Sequence, residues 1–161
     1  MTNFMDRTLR LYRRSPEGLQ FIWVYGFENG NIHIDSGLCG KMADRKQVPA
    51  TEREKIALFV QAMTGDGFSE VDEEGMTFME IVFPVAGDFA DDAEFQKRNE
   101  LVDSLDEFLA LTGQGFVDGA SSGMGTMEVA FMSADAETSK SVIADWLSKG
   151  DWNDFQSIEA A

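Results

Sequence analysis

The chain has 161 residues, 43 % of them hydrophobic, and a formal charge of −16 from 29 acidic and 13 basic side chains. That length and composition fit a folded protein of one domain or two small ones. They exclude a helical membrane span, which needs about 18 consecutive apolar residues, and the single cysteine, Cys39, excludes an internal disulfide.

The charge is unevenly placed. Residues 1–71 carry nine basic and nine acidic side chains, whereas residues 72–161 carry four and twenty and hold the whole net charge. The break falls at the polar stretch Asp72-Glu73-Glu74-Gly75, so two domains are expected, at 1–72 and 76–161. A field of this sign repels phosphates and attracts cations. Residues 1–7, M-T-N-F-M-D-R, lack the apolar stretch of a secretory signal, and with one free cysteine a cytoplasmic location is expected.

In chain order, Arg7, Arg10, Arg13 and Arg14 precede a turn at Ser15-Pro16-Glu17-Gly18. Leu9 and Leu11 between them suggest a strand. Residues 20–27 are aromatic and β-branched, a second strand. Asn29-Gly30 marks a hairpin turn, because both central residues of a type I′ turn need positive φ. Residues 31–36 return as the partner strand, and Gly37 and Gly40 bracket a bend. Residues 51–64 read as a helix opened by Pro49 and the capping box Thr51-x-x-Glu54. Its expected buried stripe is Ile56, Phe59, Val60 and Met63. Residues 68–71 form a last short strand.

This half resembles a WGR domain through Phe21-Ile22-Trp23-Val24-Tyr25, Asn29-Gly30, the tract Asp35-Ser36-Gly37-Leu38-Cys39-Gly40-Lys41, the helix, and Gly67-Phe68-Ser69-Glu70-Val71. Ser36, Gly37 and Leu38 stand where the family has Trp-Gly-Arg. In the poly(ADP-ribose) polymerases that module binds DNA ends through the tryptophan and arginine. The resemblance therefore implies a WGR-like antiparallel sheet plus helix, and not the DNA-end activity. Arg7, Arg10, Arg13, Arg14 and Lys41 remain the candidate contacts for an alternative, nucleic-acid or nucleotide-binding reading. The lone His33 alternates onto the polar strand face and is expected at the surface. Cys39 is expected to be a buried, inert thiol.

In the second half, residues 76–85 alternate as a strand, with Met79, Ile81, Phe83 and Val85 on one face. Residues 88–112 give the longest helical pattern, with Leu101, Val102, Leu105, Phe108 and Leu109 as its stripe. Asp91, Asp92 and Glu94 lie near its start, where carboxylates suit the helix dipole. Residues 115–120 and 126–133 read as a hairpin around a glycine-rich turn. Asp135 is placed to cap a helix over 136–149, with Val142, Ile143, Trp146 and Leu147 inward. Residues 154–160 close the pattern as a strand. The order β-α-β-β-α-β is the ferredoxin-like unit, so the fold class is α+β. The half is similar to ferredoxin-like domains of uncharacterised bacterial proteins through Arg98-Asn99-Glu100, Gly113-x-Gly115-x-x-Asp118-Gly119 and Gly123-x-Gly125-Thr126-Met127-Glu128.

No reaction emerges. The glycines after Asp118 join two strands instead of a strand and a helix, so they do not make a dinucleotide cradle. Asp91-Asp92 and Asp103-x-x-Asp106-Glu107 lack the oxygen spacing of a calcium loop. No catalytic set, metal site or cofactor is expected. The reading is a non-enzymatic acidic protein of immunity or antitoxin type that sequesters a basic protein partner, such as a cationic nuclease toxin. Its candidate contacts are the acidic helix face and hairpin loop: Asp103, Asp106, Glu107, Asp118, Ser121, Ser122 and Met124.

Overall fold

A computed structural model describes residues 7–26 and 30–160. The fold is α+β, with two antiparallel sheets and three α-helices among the described residues. The chain divides into two compact units, Met1–Asp72 with Leu111–Gly113, and Glu73–Ala110 with Gln114–Ala161.

Unit 1 is a five-stranded sheet with one helix. Its strands are β1 (Leu9–Ser15), β2 (Gly18–Gly26), β3 (Asn31–Leu38), β4 (Asp44–Pro49) and β5 (Ser69–Glu70), in the order β4-β3-β2-β1-β5. One face buries Leu9, Leu11, Ile22, Val24 and Ile32 with Phe68 and with Ile56 of helix α1 (Arg53–Gly65). Phe59, Val60 and Met63 complete the helix stripe at partial burial. The Asn29 half of the expected hairpin turn lies outside the described residues, as does Phe27.

In this unit one strand is new and two expectations are corrected. Asp44-Arg45-Lys46-Gln47-Val48-Pro49 forms a strand where no strand pattern was legible. It is an edge strand whose side chains are mostly exposed, so it needs no apolar alternation. Gly37 lies inside β3 opposite Phe21, and the bend begins only after Leu38. The capping box at Thr51 does not form. Pairing of Pro49 with Asn31 keeps the chain extended, residues Ala50–Glu52 make a 3₁₀ turn, and α1 starts at Arg53 with no side-chain cap.

The other face of β1 and β2 carries Tyr12, Phe21 and Trp23, all buried. The Tyr12 hydroxyl donates to Gly113 O at 2.7 Å and accepts from Trp23 Nε1 at 3.0 Å. Backbone bonds from Gly40 N to Thr112 O and from Ala43 N to Leu111 O fix the short segment Leu111–Gly113 within this unit. Burial of the Tyr12 phenol pushes its pKa well above the usual tyrosine value, because an anion there would lose its hydration.

Unit 2 has the element order β6 (Thr77–Pro84), α2 (Asp92–Leu111), β7 (Gly115–Gly123), β8 (Thr126–Ser133), α3 (Ala136–Ser148), β9 (Ser157–Ala160), with strand order β7-β8-β6-β9. Alternation sends Met79, Ile81 and Phe83 of β6 and Met127, Val129 and Phe131 of β8 to one side. There they meet Leu101, Leu105 and Leu109 of α2 and Ile143 and Leu147 of α3. Each fully buried side chain of this kind contributes about 1.5–3 kcal/mol relative to exposure. Phe108, Trp146 and Trp152 stack in series at the margin.

The boundaries have local causes. Asp135 accepts from Thr138 N and starts α3 as expected. The long helix starts four residues later than its apolar pattern suggested. Asp91 Oδ1 accepts from Glu94 N at 2.8 Å and Glu94 Oε1 accepts from Asp91 N at 2.9 Å, a reciprocal capping box that ends the loop and opens α2. β9 begins at Ser157, while Phe155 packs at the core margin outside the strand.

Candidate functional site

The acidic residues of unit 2 lie on identifiable surfaces. Asp103, Asp106 and Glu107 are exposed on α2, on the side away from Leu101, Leu105 and Leu109. Asp106 also supports the fold, because its Oδ1 accepts from Val117 N at 2.9 Å. β7 is an edge strand, and this carboxylate covers one outward N–H immediately before a bulge at Asp118. Asp118 is exposed there. Asp106 and Asp118 therefore border the same sheet edge.

The register reveals a second group that the sequence pattern left unassigned. Glu80 of β6 lies opposite Glu159 of β9, and Glu128 of β8 lies opposite Val82. All three carboxylates thus share the sheet face without helices. Like charges opposite one another destabilise a sheet. Glu128, which faces Val82 and not another acid, accepts from Ser121 Oγ and Thr126 Oγ1 at 3.0 and 2.5 Å.

At the hairpin tip the two turn residues, Met124 and Gly125, have φ of 56° and 84°. Loop residues 85–90 hold this tip. Ala90 N donates to Ser122 Oγ at 2.8 Å, Gly125 N to Asp88 O at 3.0 Å, and Val85 N to Gly125 O at 3.2 Å. Ser121 and Ser122, expected as contact residues, thus both make bonds within the unit, and Ser122 Oγ helps anchor the turn. Met124 is 97 % exposed and Phe89, in the supporting loop, 68 %. The helical pattern absorbs Phe89, so sequence reasoning alone misses it.

No family model, curated protein or solved structure matches the chain.

In unit 1 the cations do not gather into one patch. Arg7 pairs with Glu70, and Arg13 pairs with Asp66 at 2.7 Å while lying over the Phe68 ring. Arg10 lies over Trp23 on the opposite side of β1, because successive side chains alternate. Arg14 follows the same alternation as Arg10, and Lys41 is exposed in the turn after β3. The unit has a cleft of about 440 Å³ bordered by Arg13, Glu17, Gln20 and Phe21. A smaller one, about 250 Å³, is bordered by His33, Arg45, Lys46 and Gln47.

His33 corrects an expectation: it is buried, at 9 % exposure, and stacks on Tyr25 at 5.2 Å. Tyr25 in turn donates to Asp35 at 2.8 Å and accepts from Arg45 at 3.1 Å. Burial pushes the His33 pKa below its ordinary 6.5, with Arg45 acting in the same direction and Asp35 opposing. The folded state therefore binds this proton less readily than the unfolded chain. The contribution is complete above the unfolded pKa and is lost as pH falls through that value towards the folded one. Urea midpoints of unit 1 between about pH 5 and pH 8 are expected to fall on the acid side of about 6.5. His33→Gln is expected to flatten that slope, and an unchanged slope would assign it to other groups.

Cys39 is buried with its Sγ 3.8 Å from Gly113 O. It lies six residues along the chain from His33, five of them in β3 between the two, roughly 20 Å of extended chain, which does not make a nucleophile–base pair. Among the described residues no three His, Cys, Asp or Glu side chains are grouped to hold a metal. None of the described helices is long and apolar enough to cross a membrane.

Proposed function

We propose that the chain is a non-enzymatic binding protein of the cytoplasm whose acidic unit engages a basic protein, in the manner of an immunity protein or antitoxin neutralising a cationic toxin. In this reading unit 1 is a degenerate WGR-like module and unit 2 a ferredoxin-like one.

The observation that carries it is the uncompensated charge of unit 2. Residues 73–161 have nineteen carboxylates and four cations. Two of those cations, Lys97 and Lys149, are already committed to Asp154 and Asp145. The remaining negative field extends over the exposed face of α2, the β7 edge and the tip loop. Such a field accelerates encounter with a basic partner and selects against acidic ones. It also opposes nucleic acid, and the pairing of Arg7 and Arg13 with acids weakens that alternative further.

The test is capture from the native lysate at about 0.05 M salt, followed by affinity measurement of the purified pair. Raising salt to about 0.5 M shortens the screening length to a few ångströms and is expected to weaken binding at least ~10-fold. A salt-independent affinity, or a captured partner without a basic surface, would overturn the reading.

A further inference from the structure

Met124 departs from the local rules of its turn. It is the one non-glycine with positive φ among the described residues, and it is a large apolar side chain left 97 % exposed. The left-handed conformation disfavours a residue with a Cβ by roughly 1–2 kcal/mol, and asparagine or glycine would serve this turn better. Water exposure returns nothing for that strain. A locally costly, well-defined conformation points to a role outside the fold.

The surroundings indicate what role. The tip is held by the bonds from Ala90, Gly125 and Val85, so it does not have to be ordered on binding. Phe89 stands beside it, its ring edge 3.5 Å from where a Cβ on Gly123 would lie. Asp88, Asp91 and Asp92 lie within three residues of Phe89 in the chain and are exposed. Two adaptable or aromatic anchors inside a charged rim make the usual pattern of an interface centre.

We propose that Met124 and Phe89 are paired apolar anchors for an amphipathic helix of the partner whose apolar stripe is bordered by Lys or Arg. The inference rests on the basic-partner reading and adds to it a contact that charge alone does not make. A second copy of this chain is disfavoured as occupant, because the three aspartates would meet their own kind. A partner helix with a cationic border satisfies both the rim and the anchors.

The probe is a synthetic Leu/Lys peptide with helically spaced leucines, compared with a scrambled peptide of the same composition and charge. Anisotropy titrations at low salt are expected to show the protein binding the ordered peptide at least ~10-fold tighter than the scrambled one. Met124→Asn and Phe89→Ser are each expected to remove that preference while leaving scrambled-peptide affinity unchanged. Met124→Asn is also expected to raise the urea midpoint, because asparagine tolerates the left-handed turn. Equal, salt-sensitive binding of both peptides would overturn the anchors and leave the charge reading standing. No binding of either peptide at low salt would overturn both. A lowered midpoint for Met124→Asn would show the side chain serving the fold, and would overturn the proposal as well.

Discussion

Gly115→Ala is expected to destabilise unit 2 by about 3 kcal/mol or more, at or above the upper end of the usual range for a point substitution. A Cβ at this position would lie 1.8 Å from Met132 O and 2.8 Å from Met132 C. Both neighbours are backbone atoms of β8, so no side-chain rotation relieves the overlap. Gly115 is paired with Ser133, and Ala134 N bonds Gln114 O at 2.9 Å, which ties the strand ends on both sides. Relief requires the start of β7 to separate from β8, with loss of ladder bonds and of burial around Phe131. Gly119→Ala is the control, because a Cβ there meets nothing within 4 Å; it should stay within about 0.5 kcal/mol. Urea unfolding followed by Trp146 and Trp152 fluorescence reports the difference. Equal midpoints for the two variants would mean that the β7–β8 approach is much looser than described.

The sequence made this sheet legible in proportion to how strongly burial was written into period two. β8 is readable to the residue because Met127, Val129 and Phe131 recur at period two, with Glu128 and Met132 only partly buried beside them, and Asp135 follows as a cap. β4 was not, because an edge strand exposing Asp44, Arg45, Lys46 and Gln47 has no apolar face to betray it. The start of α2 was placed too early because Ala90 and Phe89 extend an apolar pattern. The competing signal was Asp91-x-x-Glu94, a capping box as good as the Thr51 one that did not form. Which of two capping boxes closes depends on whether the preceding chain is free to turn. At Thr51 it is not, since Pro49 is held in β4.

The candidate surface was legible as charge and largely illegible as geometry. Helical spacing alone placed Asp103 and Glu107 opposite the core. It could not show that Asp106 spends an oxygen on Val117 N, nor that Ser122 supports the tip loop. Those bonds depend on how the helix and loop lie against β7. The glycine-rich turn was readable as a hairpin, but its composition argued for glycine at the left-handed position and concealed Met124 there. The carboxylates Glu80, Glu128 and Glu159 come from three strands, and only the register brings them to one face.

Gly113→Ala is expected to destabilise unit 1 by about 3 kcal/mol, summing left-handed strain of roughly 1–2 kcal/mol with overpacking of roughly 1–3 kcal/mol. Gly113 has φ of 63°, and a Cβ would lie 2.3 Å from the Phe21 ring. Phe21 is buried, at 1 % exposure, so the ring cannot simply swing out into solvent. Displacing Gly113 would also stretch the bond from the Tyr12 hydroxyl to its carbonyl, and with it the Trp23 contact. Leaving a buried hydroxyl without its acceptor adds to the cost. Near-ultraviolet dichroism and amide exchange in β1–β3 would report the loss. Phe21→Leu in the same chain should recover part of it, because a smaller side chain admits the new methyl while leaving the backbone strain in place. The double variant is therefore expected to be more stable than the two single effects summed. Strict additivity would mean that the ring and residue 113 do not meet.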